Sequence, residues 1–258
     1  MKLKTAEALN ILRKYPIIFL SELNNKMEIN IPIKNTKQIN IKGRTDGTTG
    51  RPKGGMILII RNDIYKQVHA ITKSANWITV RFKQLHLGRN QALQPTIIFT
   101  YLSPQMTREE LDKFSNYIAT LVMANMPTII IGDLNARIGE LDNTSTLPIT
   151  NENIQPKRQY KDKIVNKRGI WLQHNILIHN FTVLNGRTTN DKDGEFTCIT
   201  LTGQSTNDIA LADQNSLAII NDLQVLNVPL SDHMPLLVTL TTKMGESIEI
   251  QPSSHIAL

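Results

Sequence analysis

An α+β fold in which strands outnumber helices is what this sequence predicts, and three observations carry the expectation. Its apolar runs, such as residues 56–60 and 129–131, are short and bounded by glycine, proline or polar residues. Runs of that kind read as buried strands, far short of the roughly 20 apolar residues of a membrane-spanning helix. Helical periodicity is confined to a few segments. Carboxylates, an asparagine and a histidine stand where the strand-like runs stop.

The elements follow in order. Leu3, Ala6, Leu9 and Leu12 recur every three residues and predict a short helix with an apolar inner stripe. Strands are expected over residues 15–20, 54–61, 77–82 and 96–101. Thr107, with Glu110 three residues on, forms a capping box, and Leu111, Phe114, Ile118, Leu121 and Val122 give the helix behind it an apolar face. Pro127 restarts the chain as strand, which runs through the isoleucines of IIIGDLNARIG. Loop-rich sequence extends to about Lys163, and a helix is expected over residues 168–177. Strands at 181–184, 195–201, 208–212, 223–227 and 234–240 complete the domain, which is taken as residues 1–242. Residues 243–258 read as a flexible tail.

Composition narrows the class. The 258 residues, 40% hydrophobic, suit one domain with a substantial core. A single cysteine, Cys198, excludes an internal disulfide and fits a reducing, intracellular compartment, where it reads as a small core residue of a strand. Lys2 and Lys4 resemble the start of an export signal, but Asn10, Arg13 and Lys14 interrupt the apolar core that a signal needs. The formal charge of +7 favours a polyanionic partner, nucleic acid first. Its densest source is residues 156–169, where Lys157, Arg158, Lys161, Lys163, Lys167 and Arg168 surround Tyr160 and face only Asp162. A basic loop with an aromatic suits gripping phosphates and stacking a base; a solvated charged loop is the alternative.

Glu22 ends the strand of PIIFLSEL, Asp133 and Asn135 follow TIII, Asp208 heads DIALA, and Asp232 with His233 precedes MPLLVTL. Any one of these could be a turn residue. Together they are hard oxygen and imidazole donors that suit a divalent cation and a phosphate better than zinc.

The segments SEL, IIIGDLNARIG, LNGRTTNDKDGEFTCI, STNDIAL and LSDHMPL occur in that order, and with that spacing the sequence resembles the endonuclease/exonuclease/phosphatase superfamily. RPKGGMILIIRNDI and NKRG narrow the resemblance to the apurinic-like endonuclease domains of LINE-type (non-LTR) retrotransposons, over residues 6–240. The resemblance implies a DNase I-like, four-layer α/β-β/α sandwich of two packed mixed sheets flanked by helices. It implies a Mg²⁺-dependent phosphodiesterase, with Mn²⁺ as a substitute. The implied metal ligands are Glu22 and Asp232. Asp133 then orients or deprotonates the attacking water, Asn135 and Tyr101 touch the phosphate, and His233 contacts the scissile phosphate with Asp208 orienting it. Ser205 matches a further phosphate contact, Arg137 pairs with a carboxylate or touches DNA, and Lys157 and Arg158 bind DNA in the basic loop. Asn166, Arg168, Asn185 and Arg187 are family-like but assigned to the fold, and His69, His86, His174, His179 and His255 lie outside the motifs.

One departure stands out. The family's first strand, which carries an asparagine to the metal site, has no counterpart before Glu22, because Asn10 falls inside the expected helix. An N-terminally truncated domain with an uncovered sheet edge is therefore expected. The implied function is a DNA endonuclease that nicks duplex DNA to leave a 3′-hydroxyl. The alternatives are a catalytically impaired nucleic-acid-binding remnant, or a phosphatase or lipid phosphodiesterase of the same fold. DNA is the expected partner, together with a reverse transcriptase region of the same element; no membrane and no small-molecule cofactor is expected. Nuclear access follows if the chain derives from a retrotransposon.

Overall fold

The computed structural model describes residues 5–45, 50, 52–86, 92–141, 149–228, 231–243 and 246–253. Thr5 caps α1 (Ala6–Leu12) by accepting from the Ala8 amide, and β1 (Ile17–Ser21) follows. Next come β2 (Thr36–Ile41), β3 (Met56–Arg61), the single turn α2 (Asn62–Tyr65), β4 (Val68–Lys73) and β5 (Trp77–Phe82). The small ladder of β6 (Leu85–His86) and β7 (Ala92–Leu93) precedes β8 (Thr96–Tyr101). The expected capping box opens α3 (Arg108–Met123), with Thr107 and Glu110 each accepting from the other's backbone. Then β9 (Thr128–Asp133), α4 (Lys167–Asn175), β10 (Thr182–Val183), the hairpin of β11 (Cys198–Thr200) and β12 (Gly203–Ser205), β13 (Asp208–Ala212), β14 (Ile220–Val225), β15 (Leu236–Lys243) and β16 (Glu246–Ser253) complete the chain.

Two six-stranded sheets result, in the orders β14-β15-β16-β1-β3-β2 and β10-β13-β9-β8-β5-β4. Alternation along each strand decides which side chains meet. Ile17 and Phe19 of β1, Met56, Leu58 and Ile60 of β3, Ile97 and Phe99 of β8, and Ile129 and Ile131 of β9 share one core between the sheets. The intervening residues of β8 and β9, Ile98 and Ile130, face outward onto Phe114 and Ile118 of α3 and Leu172 of α4. On the other outer face Ile18, Leu20, Ile57 and Ile59 pack against Leu9 and Leu12 of α1. The layers are therefore helix, sheet, sheet, helix, as expected, and the architecture is α+β. Among the described residues no helix is long and apolar enough to cross a membrane.

Two expectations need correction. Residues 246–253 are a strand and not a flexible tail. β16 runs antiparallel to β15, with Val238 opposite Ile250, and parallel to β1, with Ile17 opposite Ile250 and Leu20 opposite Ser253. The β1 edge expected to lie open is thus paired, from the C-terminal side of the chain. Ile248 and Ile250 carry the two-residue alternation of a strand, a short signal that the charged Glu246 and Glu249 obscure. Pro252, which has no N–H for a ladder, falls beyond Val238 and Ile250, where pairing with β15 has ended. β16 is also the one strand joining β14 and β15 to β1, β3 and β2. Second, β2 and β4 had no counterpart among the expected strands. Both lie at sheet edges, where a half-exposed strand needs little apolar sequence.

Candidate functional site

Three strand ends form one row. In the parallel pair β8 and β9, Tyr101 lies opposite Asp133; in the antiparallel pair β9 and β13, Asp133 lies opposite Asp208. Asp133 continues the inward-facing set of Ile129 and Ile131, and Asp208 that of Ala210 and Ala212, so the carboxylates emerge from the inter-sheet core at one edge. Gly132 makes the close strand approach possible: a Cβ there would lie 1.9 Å from the Thr100 carbonyl oxygen, and its φ of 148° is glycine's territory.

Asp133 is fully buried. After it the strand ends, and Asn135 turns back with φ of 50°. Its backbone amide donates to Asp133 Oδ1 at 2.8 Å and its side-chain Nδ2 to Asp133 Oδ2 at 2.9 Å and to the Leu102 carbonyl at 3.1 Å. Asn135 therefore clamps Asp133, and its amide hydrogens point to protein acceptors instead of to a phosphate as the resemblance implied. The two residues share a face through this turn, not through a continuing strand.

Asp208 Oδ2 accepts a 2.8 Å hydrogen bond from His233 Nδ1, and both side chains are nearly covered. Burial alone would lower the imidazolium pKa. The Asp208 carboxylate, by charge and by hydrogen bond, together with Cys198 and the charge of Asp133, outweighs burial and holds His233 protonated well above its ordinary range. Tyr101 moves upward too, first because burial disfavours the phenolate, then because its hydroxyl donates to Glu22 and sits near the charges of Glu22 and Asp133. Glu22 lies just past β1 in a left-handed turn with φ of 53° and is half-buried.

Among the described residues, Asp133, Asp208 and His233 are the group whose ligand atoms lie within 4.8 Å of one another. This differs from the Glu22 and Asp232 pair that the resemblance implied. Asp232 is exposed and lies outside that group; its carbonyl accepts from the Ile199 amide at 2.8 Å. Glu22 remains at the pocket through Tyr101. Carboxylates dominate the donor set, which fits a hard cation such as Mg²⁺.

The basic loop is arranged differently from expectation. Arg158 is 6% exposed, with Nη2 donating to the carbonyls of Gly139 and Leu141, so it braces the fold and does not face DNA. Arg137 forms a forked pair with the buried Asp162, Nε to Oδ2 at 2.8 Å and Nη2 to Oδ1 at 2.6 Å. Of the alternatives for Arg137, the carboxylate is the one realised. Lys161 pairs with Glu195, and Lys163 lies 3.9 Å from the centre of the Tyr160 ring. Lys157 is exposed, as a phosphate contact requires, and Ser205 is half-exposed where β12 pairs with Cys198.

Three features were missed from sequence. A cleft of about 250 Å³ opens beside Tyr101, lined among others by Lys42, Arg44, Lys53, Asn76 and Gln105. Its cations are spread over residues 42–53 and never form a dense run, although their alternation around RPKGG was there to read. Arg168, assigned to the fold, donates to the Ser103 carbonyl at 3.1 Å and is close enough to Asp133 to feel its charge. Cys198 is buried as expected, but its neighbour is His233, by a backbone bridge and through its thiol.

No family model and no curated protein matches the sequence. Solved structures do match in fold. The endonuclease domain of TRAS1, a telomere-specific non-LTR retrotransposon, aligns with a TM-score of 0.60 at 17% identity, over 94% of each chain. The chain shares that DNase I-like fold. The APE2 catalytic domain of Xenopus laevis aligns with a TM-score of 0.64 at 13% identity, over 100% of this chain and 90% of the other. The 3'-5' exonuclease NExo of Neisseria meningitidis gives a TM-score of 0.55 at 14% identity, over 86% of this chain and 87% of that one.

Proposed function

We propose that this chain is a Mg²⁺-dependent DNA endonuclease that nicks duplex DNA and leaves a 3′-hydroxyl, as a LINE-type retrotransposon nuclease does. The observation that carries the reading is the row Tyr101, Asp133, Asp208 with His233 bonded to Asp208. Such a row supplies the functions a phosphodiester hydrolysis needs. Asp133, fixed by both donors of Asn135, accepts the proton of an attacking water. His233, kept as imidazolium by Asp208, donates to a phosphoryl oxygen as charge builds there. Tyr101, kept protonated, orients Glu22. Glu22, held by the Tyr101 hydroxyl, would contribute a carboxylate to Mg²⁺, which when bound would neutralise charge on the phosphoryl and leaving oxygens. Lys42 and Lys53 of the cleft beside Tyr101, next to an Arg44 paired with Glu110, extend a positive path away from the row for the DNA backbone. The retrotransposon endonuclease among the fold matches supports the narrower assignment, as do the sequence segments shared with that class.

Supercoiled-plasmid nicking by purified protein tests this reading. Nicking with Mg²⁺ that EDTA abolishes is the expected result. No nicking at any Mg²⁺ or Mn²⁺ concentration, with DNA still bound, would overturn it in favour of a nucleic-acid-binding remnant.

A further inference from the structure

Asp208 and His233 belong to different parts of the chain, and one fully buried residue outside the row bonds the backbone of Asp208 and that of Met234, the residue after His233. Thr197 Oγ1 accepts from the amides of Asn207 and Asp208, each at 3.0 Å. Its carbonyl accepts from the Met234 amide at 2.7 Å, and its own amide donates to the Ser205 carbonyl at 3.0 Å. The two residues after it continue the strap: Cys198 bridges His233, and the Ile199 amide donates to the Asp232 carbonyl at 2.8 Å. The hydroxyl thus fixes where β13 begins, and the carbonyl fixes where the His233 loop turns. A valine fills the same space and leaves both amides without that acceptor, which a buried position tolerates poorly.

We propose that Thr197 is a positioning residue that sets the Asp208 carboxylate against the His233 imidazole. The inference rests on the nuclease reading for its effect on turnover, and on geometry alone for its effect on the pair. A structural role without positioning predicts a different ranking of variants. Thr197→Ser keeps the oxygen but removes a buried methyl; Thr197→Val keeps the volume but removes the oxygen. If Thr197 positions the pair, activity follows the oxygen and not the packing.

The experiment measures kcat and KM for plasmid nicking, thermal melting, and the NMR resonance of the His233 Nδ1 proton in the parent, Thr197→Val and Thr197→Ser. In Thr197→Val kcat should fall about 10- to 100-fold, the scale of a small misplacement of reacting groups. KM should change little, because DNA contacts are untouched. Thr197→Ser should keep kcat within about threefold while melting below the parent, since it loses packing and not position. The proton resonance should shift or vanish in Thr197→Val and persist in Thr197→Ser. An unchanged resonance in Thr197→Val, or equal loss of kcat in both variants, overturns the proposal. A parent that does not nick counts against the nuclease reading instead, and the resonance then decides the positioning role by itself.

Discussion

Asp208 with His233, and Asp162 with Arg137, are two acid–base pairs of similar geometry but different setting. In each, a carboxylate meets a cation 25 residues away in the chain. The acid of the first heads a sheet strand and its base stands just before another, and the pair lies at a sheet edge in line with Asp133 and Tyr101. The second joins two loops: Asp162 accepts from Arg137 and also from the amides of Ile164 and Thr206, so its oxygens are engaged by protein donors. Charge alone does not separate a site from a brace. What separates them is whether the pair belongs to a row of groups at a sheet edge or closes a loop upon itself.

The largest expected effect is on that row. Asp133→Asn keeps the shape but loses the proton acceptor, so nicking should drop about 10²- to 10⁴-fold with DNA binding retained. Gel-shift and nicking assays on the same preparation measure both, and a variant within a few-fold of the parent removes Asp133 from the mechanism. Arg137→Ala sharpens the contrast in the other direction. It leaves Asp162 buried and unpaired, and should destabilise the fold by about 3 kcal/mol, read by urea unfolding, while the folded fraction still nicks. Burial would raise the Asp162 pKa, but the Arg137 guanidinium and backbone amides outweigh it and hold the carboxyl below its usual range. A depressed acid stabilises above its unfolded pKa, near 4, and that contribution is lost as pH falls through the lower folded value. The parent should therefore lose this contribution only in acid, whereas Arg137→Ala should lose the acid-side dependence.

The pH response of the first pair has the opposite sign. A raised histidine stabilises fully below its unfolded value, about 6.5, and that contribution is lost as pH rises through the folded value. The parent should show no His233 titration near neutrality, while in Asp208→Asn the imidazole should titrate within the neutral range, followed by NMR of its ring carbons. A parent histidine that titrates near pH 6.5 would break the pairing. The smallest effect is expected at Lys157→Gln: one exposed phosphate contact fewer, a few-fold weaker binding and a salt slope reduced by about one. An unaltered slope would place Lys157 away from DNA.

How far these differences were legible beforehand varies with the signal. The inward parity of Ile129, Ile131 and Asp133 can be counted along the strand, and the motif order placed the same residues at strand ends. The layered architecture followed from the same alternation and from the capping box at Thr107. Arg158 was misjudged because a basic run carries no record of which guanidiniums turn inward to carbonyls, and for Arg137 the sequence left pairing and DNA contact both open. The cleft beside Tyr101 was missed because its cations come from a loop and strand ends that only the folded sheets bring together. Thr197 was hidden for a related reason: a threonine inside an apolar strand looks the same whether its hydroxyl is idle or receives two amides.

β16 bears on when the molecule can be finished during synthesis. It is an inner strand of its sheet, yet it is made of residues 246–253. Until residues 246–253 are in place, β1, β3 and β2 form one fragment of sheet and β14 and β15 another, with Glu22 just past β1 and His233 between β14 and β15. Residues 246–253 must therefore be made and docked before that sheet joins the two sides of the site. On the nuclease reading proposed above, the site is completed only once that strand has docked.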